Sequence, residues 1–189
     1  MHILEGQIRT NKIDSKEKLK NIPGIFYGKD VKENVKLNID YKSFMKFLDI
    51  VKRGCFTTSL KLKINEKEYI VIIKDIQWNK LTTNPEHIDF YSISKMEELT
   101  DKNNIRVKYY INYLNKDSCV GVKEGGKLKI LHKECYGNVN PHKMTPNLEI
   151  DLKDLKIGMK ITVEDIQTKY KNMNLNLSIK GTLASILGK

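Results

Sequence analysis

The stretch from Thr57 to Trp78 constrains this chain most, because its residue pattern suits two β-strands and little else. Leu60, Leu62 and Ile64 alternate with Lys61 and Lys63, the two-residue period of a strand with one buried face. Residues 69–78 (YIVIIKDIQW) are β-branched and more continuously apolar, as in a central strand. The polar NEKE between them (65–68) reads as a turn, so 57–64 and 69–78 are predicted to form a hairpin. HIDFYSIS (87–94), after Asn84 and Pro85, gives a further alternating strand, and NIPGIFYG (21–28) reads as a turn feeding another.

One helix interrupts this pattern. Tyr41, Phe44, Met45, Leu48 and Val51 fall at helical spacing, with Asp40 as N-cap, Lys52 and Arg53 at the negative C-terminal end, and Gly54 suited to the C′ position. The apolar stripe is expected to pack on the protein's own core. After Ser94 the text turns polar (KMEELTDKNN, 95–104), which places a domain boundary there, giving domains 1–94 and 95–189. Beyond it, strand-like segments at 105–115, 127–136, 148–152 and 160–166 alternate with Gly- or Pro-containing turns and predict an all-β second domain.

Composition narrows the function classes. No apolar run approaches the roughly 20 residues of a membrane-spanning helix, and MHILEGQIRT lacks the basic start and apolar stretch of a secretory signal, so an intracellular protein is expected. Cys55, Cys119 and Cys135 are odd in number and form no CxxC pair, which argues for reduced thiols over disulfides or a closed zinc site. The formal charge is +11, with 18 basic and 12 acidic residues in 1–95 and 16 and 11 after it. A basic surface draws polyanions, so RNA, DNA and anionic membranes are candidate partners, and the even split does not say which half binds.

The polar residues of NPEHIDF (84–90) stand out. In a strand, His87 and Asp89 project from one face and Ile88 and Phe90 from the other. The imidazole can donate to a phosphate or a 2′-hydroxyl, and the carboxylate can accept from guanine N–H groups. The pair also reads as a solvated surface pair with no partner. It does not read as a catalytic dyad, because no motif attaches a Ser or Cys nucleophile to it. Tyr27 beside Gly28 suits stacking on a ribose or base, or equally a half-buried strand tyrosine. Arg9, Lys12, Lys16, Lys18 and Lys20 form a basic run, broken by Asp14 and Glu17, that suits a phosphate backbone or plain solvent.

Two apparent motifs fail. GVKEGGKL (121–128) has the G-x-x-x-x-G-K spacing of a phosphate-binding loop, but Leu128 replaces the Mg²⁺-binding Ser or Thr, and a strand, not a helix, is predicted to follow. His132, Cys135 and His142 match no four-ligand zinc spacing, and LKILHKECY alternates like a strand that sends His132 and Cys135 to opposite faces. No metal, nucleotide or other cofactor is expected.

In order along the chain, IPGIFYG, IKDIQWN (72–79), PEHIDF, VGVKEGGKL (120–128) and LEIDLKDLKIGMKITVEDI (148–166) resemble the bacterial large-subunit ribosomal protein twenty-five family, in its long two-domain Ctc (general stress) form. The resemblance covers nearly the whole chain. It implies a mainly β protein with a few helices, in which an N-terminal β-barrel RNA-binding domain is followed by a C-terminal all-β domain. It implies no enzyme, but a structural constituent of the large ribosomal subunit that clamps the loop E region of 5S rRNA in the central protuberance. Large-subunit rRNA and neighbouring ribosomal proteins are the implied further partners, with no membrane and no small-molecule substrate. The implied setting is a cytoplasmic ribosome, an organellar ribosome being the other that the sequence permits. By motif, Tyr27 and Gly28 are the YG element, His87 and Asp89 the H-x-D element, and Arg9 the early RNA-contacting arginine. Lys74 and Gln77 of IKDIQWN complete the candidates, with Lys12, Lys18 and Lys20.

The sequence departs from the family between Arg9 and Pro23. TNKIDSKEKLKN replaces an arginine-rich segment, leaving Lys18 or Lys20 to stand in as point charges without the bidentate fork of arginine. With ILGK as its last residues, the sequence is expected to lack the acidic tail of some relatives. A tRNA-anticodon-binding type of barrel, or a stress protein that visits the ribosome transiently, is the alternative reading.

Overall fold

A computed structural model describes residues 2–10, 20–28, 31–93, 104–171 and 176–188. Two compact units divide the chain at Asn103 and Asn104.

The first unit is a closed six-stranded barrel of β1 (His2–Ile8), β2 (Asn21–Tyr27), β3 (Val35–Asp40), β4 (Leu60–Ile64), β5 (Lys67–Trp78) and β6 (Pro85–Ser92), in spatial order β1-β3-β2-β6-β5-β4. Parallel pairing of β1 with β4, from His2↔Leu60 to Gly6↔Ile64, closes the ring and leaves no open edge. The predicted hairpin is present as β4 and β5, with Ile64 opposite Lys67 and Asn65 at φ 54, a left-handed conformation that asparagine tolerates.

Alternation fills the barrel. Leu37, Ile39, Leu60, Leu62, Val71, Ile88 and Phe90 have no exposed surface, and Phe26 and Ile73 almost none. Gly24 also points inward, where a Cβ would stand 3.0 Å from the Ile88 carbonyl oxygen and 3.4 Å from the Phe90 ring. NIPGIFYG is thus strand almost throughout. Pro23 is tolerated because the parallel pairing of β2 with β6 begins only at Gly24↔Ile88.

α1 (Tyr41–Val51) follows β3 directly and lies at the barrel end where β1 begins, with the Phe47 ring 5.3 Å from that of His2. Asp40 is its N-cap, its carboxylate accepting from the Ser43 N–H (2.8 Å) and hydroxyl (2.7 Å). These bonds hold the Asp40 carboxyl below its ordinary range. Phe44 and Phe47 carry the buried face, so the stripe runs through Phe47 as well as the expected positions. Gly54 is not the C′ residue. The helix ends at Lys52, which takes the positive φ (50°) itself, and the chain runs on as a 3-10 turn over Lys52–Phe56 in which Gly54 is buried.

The second unit is built of two sheets. One has the order β10 (Leu148–Asp151), β7 (Ile105–Leu114), β9 (Glu134–Val139), β12 (Asn176–Leu177); the other β11 (Lys160–Thr162), β13 (Thr182–Leu187), β8 (Lys127–Ile130). Tyr109, Val139, Leu148, Leu152, Leu183 and Ala184 have no exposed surface. Two short helices accompany the sheets, α2 (Val120–Lys123) and α3 (Val163–Lys169).

Two predicted strands differ from the fold. The segment 127–136 is broken into β8 and β9, because the chain changes sheets there. The Leu131 and His132 N–H groups both donate to the Leu183 carbonyl (2.9 and 3.3 Å), and the Tyr113 hydroxyl donates to the His132 carbonyl (2.6 Å). His132 therefore sits at a corner rather than in a strand, while Cys135 faces the core, where burial pushes its thiol up to about 12. Segment 160–166 is strand only to Thr162. The Asp165 carboxylate accepts from the Thr162 N–H (2.7 Å) and hydroxyl (3.0 Å), starting α3 in a capping box.

In GVKEGG, Gly121–Lys123 end α2 and Glu124–Gly126 make a tight turn leading into β8. A Cβ on Gly126 would lie 2.6 Å from Ile186 Cγ2 and 2.7 Å from the Gly121 carbonyl oxygen, so close packing requires glycine there, while Gly125 takes a positive φ of 91°. Among the described residues, no cluster of three or more His, Cys, Asp or Glu side chains could hold a metal, and no helix is long and apolar enough to cross a membrane.

Candidate nucleic-acid interface

β6 lies between β2 and β5, and its alternation is strict. Ile88 and Phe90 are fully buried inside, while His87, Asp89 and Tyr91 emerge half-buried outside. His87 Nδ1 lies 3.0 Å from Asp89 Oδ1, and each side chain keeps more than a quarter of its surface exposed (27% and 30%). The separation is that of a hydrogen bond, but the N–H direction is not, since Nδ1 finds no aligned acceptor. The contact is thus one of charge, attractive when the imidazole is protonated, and it leaves both groups directional capacity toward a partner.

Register decides which other residues share this face. One row runs Lys36 on β3, Ile25 on β2, Asp89 on β6 and Asp75 on β5. Arg9 stands at its head, its N–H donating to the Lys36 carbonyl (3.0 Å). At a strand spacing near 4.8 Å, Arg9 and Asp89 are about 14 Å apart along the row. Arg9 Nε is buried without an acceptor among the described residues. In the next row Gln77 lies opposite His87.

A bulge in β5 completes the face. Ile73 pairs with Phe90 and Asp75 with Asp89, so Lys74 is the extra residue, and its Nζ comes to 5.2 Å from the centre of the Tyr91 ring. Tyr91 also meets Tyr27 edge to face at 5.5 Å. The Tyr27 phenol is raised above its ordinary value, first by burial, then by the Asp89 charge, Tyr91 and Asp75. It is consequently a neutral O–H donor at physiological pH.

Arg9, Tyr27, Lys74, Gln77, His87 and Asp89 therefore meet on one outer wall of the barrel. Gly28 follows β2 at the Tyr27 end, its carbonyl accepting from the Val31 N–H (3.2 Å). Lys20 is exposed at the opposite end of β2, where its carbonyl accepts from the Tyr41 N–H (2.9 Å). Seven strand residues separate it from Gly28, a span of about 26 Å. Lys12 and Lys18 lie outside the described residues. Four residues join the face unannounced: Ile25, Lys36, Asp75 and Tyr91. Tyr91 was findable from the same alternation that picks out His87 and Asp89; the others depend on strand order and the bulge.

The wall thus carries cations at its margins, hydrogen-bonding side chains at its centre and tyrosines between them. Comparisons with known proteins give the family. The ribosomal L25p family matches residues 4–90, and the C-terminal domain of ribosomal protein TL5 matches residues 104–188. The large ribosomal subunit protein bL25 of Ehrlichia ruminantium is 34% identical over 168 residues, covering 88% of this chain and 76% of its own. Its namesakes from Anaplasma phagocytophilum (31% over 146 residues, 77% of this chain and 65% of theirs) and Wolbachia pipientis (30% over 160, 84% and 74%) are similar over comparable stretches. This chain belongs to the bL25 family of ribosomal proteins, in the form that carries a TL5-type second domain, and is a structural constituent of the ribosome and not an enzyme.

Proposed function

We propose that the β2–β6–β5 wall of the first domain, residues 1–94, binds the loop E region of 5S rRNA, anchoring the chain in the central protuberance of the large subunit beside rRNA and neighbouring ribosomal proteins. The observation that carries this reading is the register that sets Arg9 in one row with Asp89, beside His87, Gln77, Tyr27 and Lys74.

The chemistry suits irregular A-form RNA. Its wide minor groove displays 2′-hydroxyls and base edges, and non-Watson–Crick pairs distort it into shapes that a rigid wall can match. Arg9, Lys36 and Lys74 take phosphates, releasing counterions. The Tyr27 hydroxyl donates. The Asp89 carboxylate accepts from base N–H groups or 2′-hydroxyls, a role that a phosphate-only surface would not assign to an aspartate. Hydroxyl-radical footprinting of the full-length protein on free 5S rRNA tests the reading. Protection is expected at loop E and should weaken in His87→Ala, whereas protection elsewhere, or none, would refute it.

A further inference from the structure

The two units differ in charge once they are divided at their structural boundary. Residues 104–189 hold 15 basic and eight acidic side chains, a net of +7, leaving +4 for residues 1–103. The more basic unit is thus the one outside the barrel, and the polar segment 95–103 is what evens out the two halves of the sequence.

Part of that charge is placed among aromatic rings on one sheet face. The inward residues of β7 (Ile105, Val107, Tyr109, Ile111) are core, so Arg106, Lys108, Tyr110 and Asn112 face outward. On β9 the outward set is Glu134, Tyr136 and Asn138. Antiparallel register sets Lys108 opposite Tyr136 and Arg106 opposite Asn138, which makes Arg106 and Tyr136 diagonal neighbours. The Arg106 guanidinium lies over the Tyr136 ring, 4.7 Å from its centre, while Tyr136 keeps 43% of its surface exposed. Beside them the Lys108 ammonium is held 3.0 Å from Glu134 and 5.4 Å from the Tyr110 ring.

We propose that this outward face of β7 and β9 is a second RNA-contact surface, on which unpaired rRNA nucleotides stack against the Arg106–Tyr136 pair. Guanidinium planes and aromatic faces are what splayed-out bases stack on, and every base offers such a face whatever its sequence. The geometry fits that use, since a guanidinium 4.7 Å from the centre of a part-exposed ring offers a charge and an aromatic surface side by side. The +7 charge supplies the attraction to phosphate and disfavours a basic protein segment as occupant. The Lys108–Glu134 pair fixes Lys108 along the edge of the platform. The inference does not depend on the loop E reading, since no barrel residue enters it.

A uridine-rich RNA hexamer with a central 2-aminopurine tests it, because stacking quenches that base. Titrated into the full-length protein at low salt, it should be quenched. Tyr136→Ala should weaken binding roughly tenfold, Tyr136→Phe should restore it, and Arg106→Lys should lose several-fold at unchanged charge. Each variant should melt like the wild type and bind 5S rRNA unchanged. Quenching that survives Tyr136→Ala, or an Arg106→Lys variant equal to wild type, would overturn the proposal. So would Tyr136→Ala leaving hexamer binding intact while loosening the protein from washed large subunits, which would mark the face as a protein contact.

Discussion

Asp75 on β5 stands directly opposite Asp89 on β6, two carboxylates in cross-strand register on the outer wall of the barrel. A folded domain gains nothing from this arrangement, since like charges facing each other across a sheet are destabilising. Asp89 has His87 beside it at 3.0 Å, whereas Asp75 is exposed beside the bulge. The strain is intelligible if the acceptors are kept for RNA.

Asp75→Asn should therefore stabilise the barrel by roughly 0.2–1 kcal/mol at neutral pH, relieving the repulsion without touching the core. Urea unfolding of the full-length protein measures it, and the gain should shrink in an Asp89→Asn background, where the opposing charge is already gone. A loss of stability, or a gain independent of residue 89, would place the repulsion elsewhere.

Gly126→Ala should destabilise the second unit by about 1–3 kcal/mol, the usual cost of overpacking. The added Cβ would meet the Ile186 methyl at 2.6 Å and, less yieldingly, the Gly121 carbonyl oxygen at 2.7 Å. Calorimetry of the full chain should show the change, and 5S rRNA binding by the barrel should be unaffected. An unchanged melt would mean that this turn shifts more easily than its packing implies.

The second unit should also be the alkali-sensitive one. Burial raises the Cys135 thiol from 9.0 and the Tyr113 phenol from 10.0, each to about 12, and raises Tyr109 further still. Groups with raised folded values are kept neutral in the fold, so their contribution is intact below the unfolded values and is lost as pH rises through the folded ones. Stability should thus be level to about pH 9 and fall between pH 9 and 12. Near-ultraviolet circular dichroism against pH, following the tyrosine environment, checks this; a flat profile to pH 12 would contradict it.

Much of this was legible in the sequence, and the remainder depended on long-range pairing. Strict alternation in HIDF places His87 and Asp89 outside and Ile88 and Phe90 inside, because a strand's period needs no knowledge of its neighbours. That Arg9 belongs with them is given by the family resemblance and not by alternation, since its place in the row rests on β3 lying between β1 and β2. In KITVEDI, Ile161 and Val163 imitate a strand, yet Thr162 and Asp165 have the T-x-x-D spacing of a capping box, and Val163 with Ile166 is the buried pair of a short helix. Lys52 in place of Gly54 at the helix end reflects the 3-10 turn that follows, whose buried Cys55 and Phe56 set the chain direction locally.

If the outer wall at His87 and Asp89 grips 5S rRNA while the inner wall at Phe90 holds the barrel, substitutions on the two walls must separate binding from stability. Binding isotherms for a loop E RNA fragment, with thermal melts, on full-length His87→Ala, Asp89→Ala and Phe90→Ala measure both at once. The two polar variants should lose about 1.5–3 kcal/mol of binding each, the worth of a hydrogen bond to a charged group, and melt like the wild type. Phe90→Ala, truncating a ring with no exposed surface, should lose about 3–5 kcal/mol of stability. Polar variants that bind like the wild type, or that melt as early as Phe90→Ala, would contradict the account.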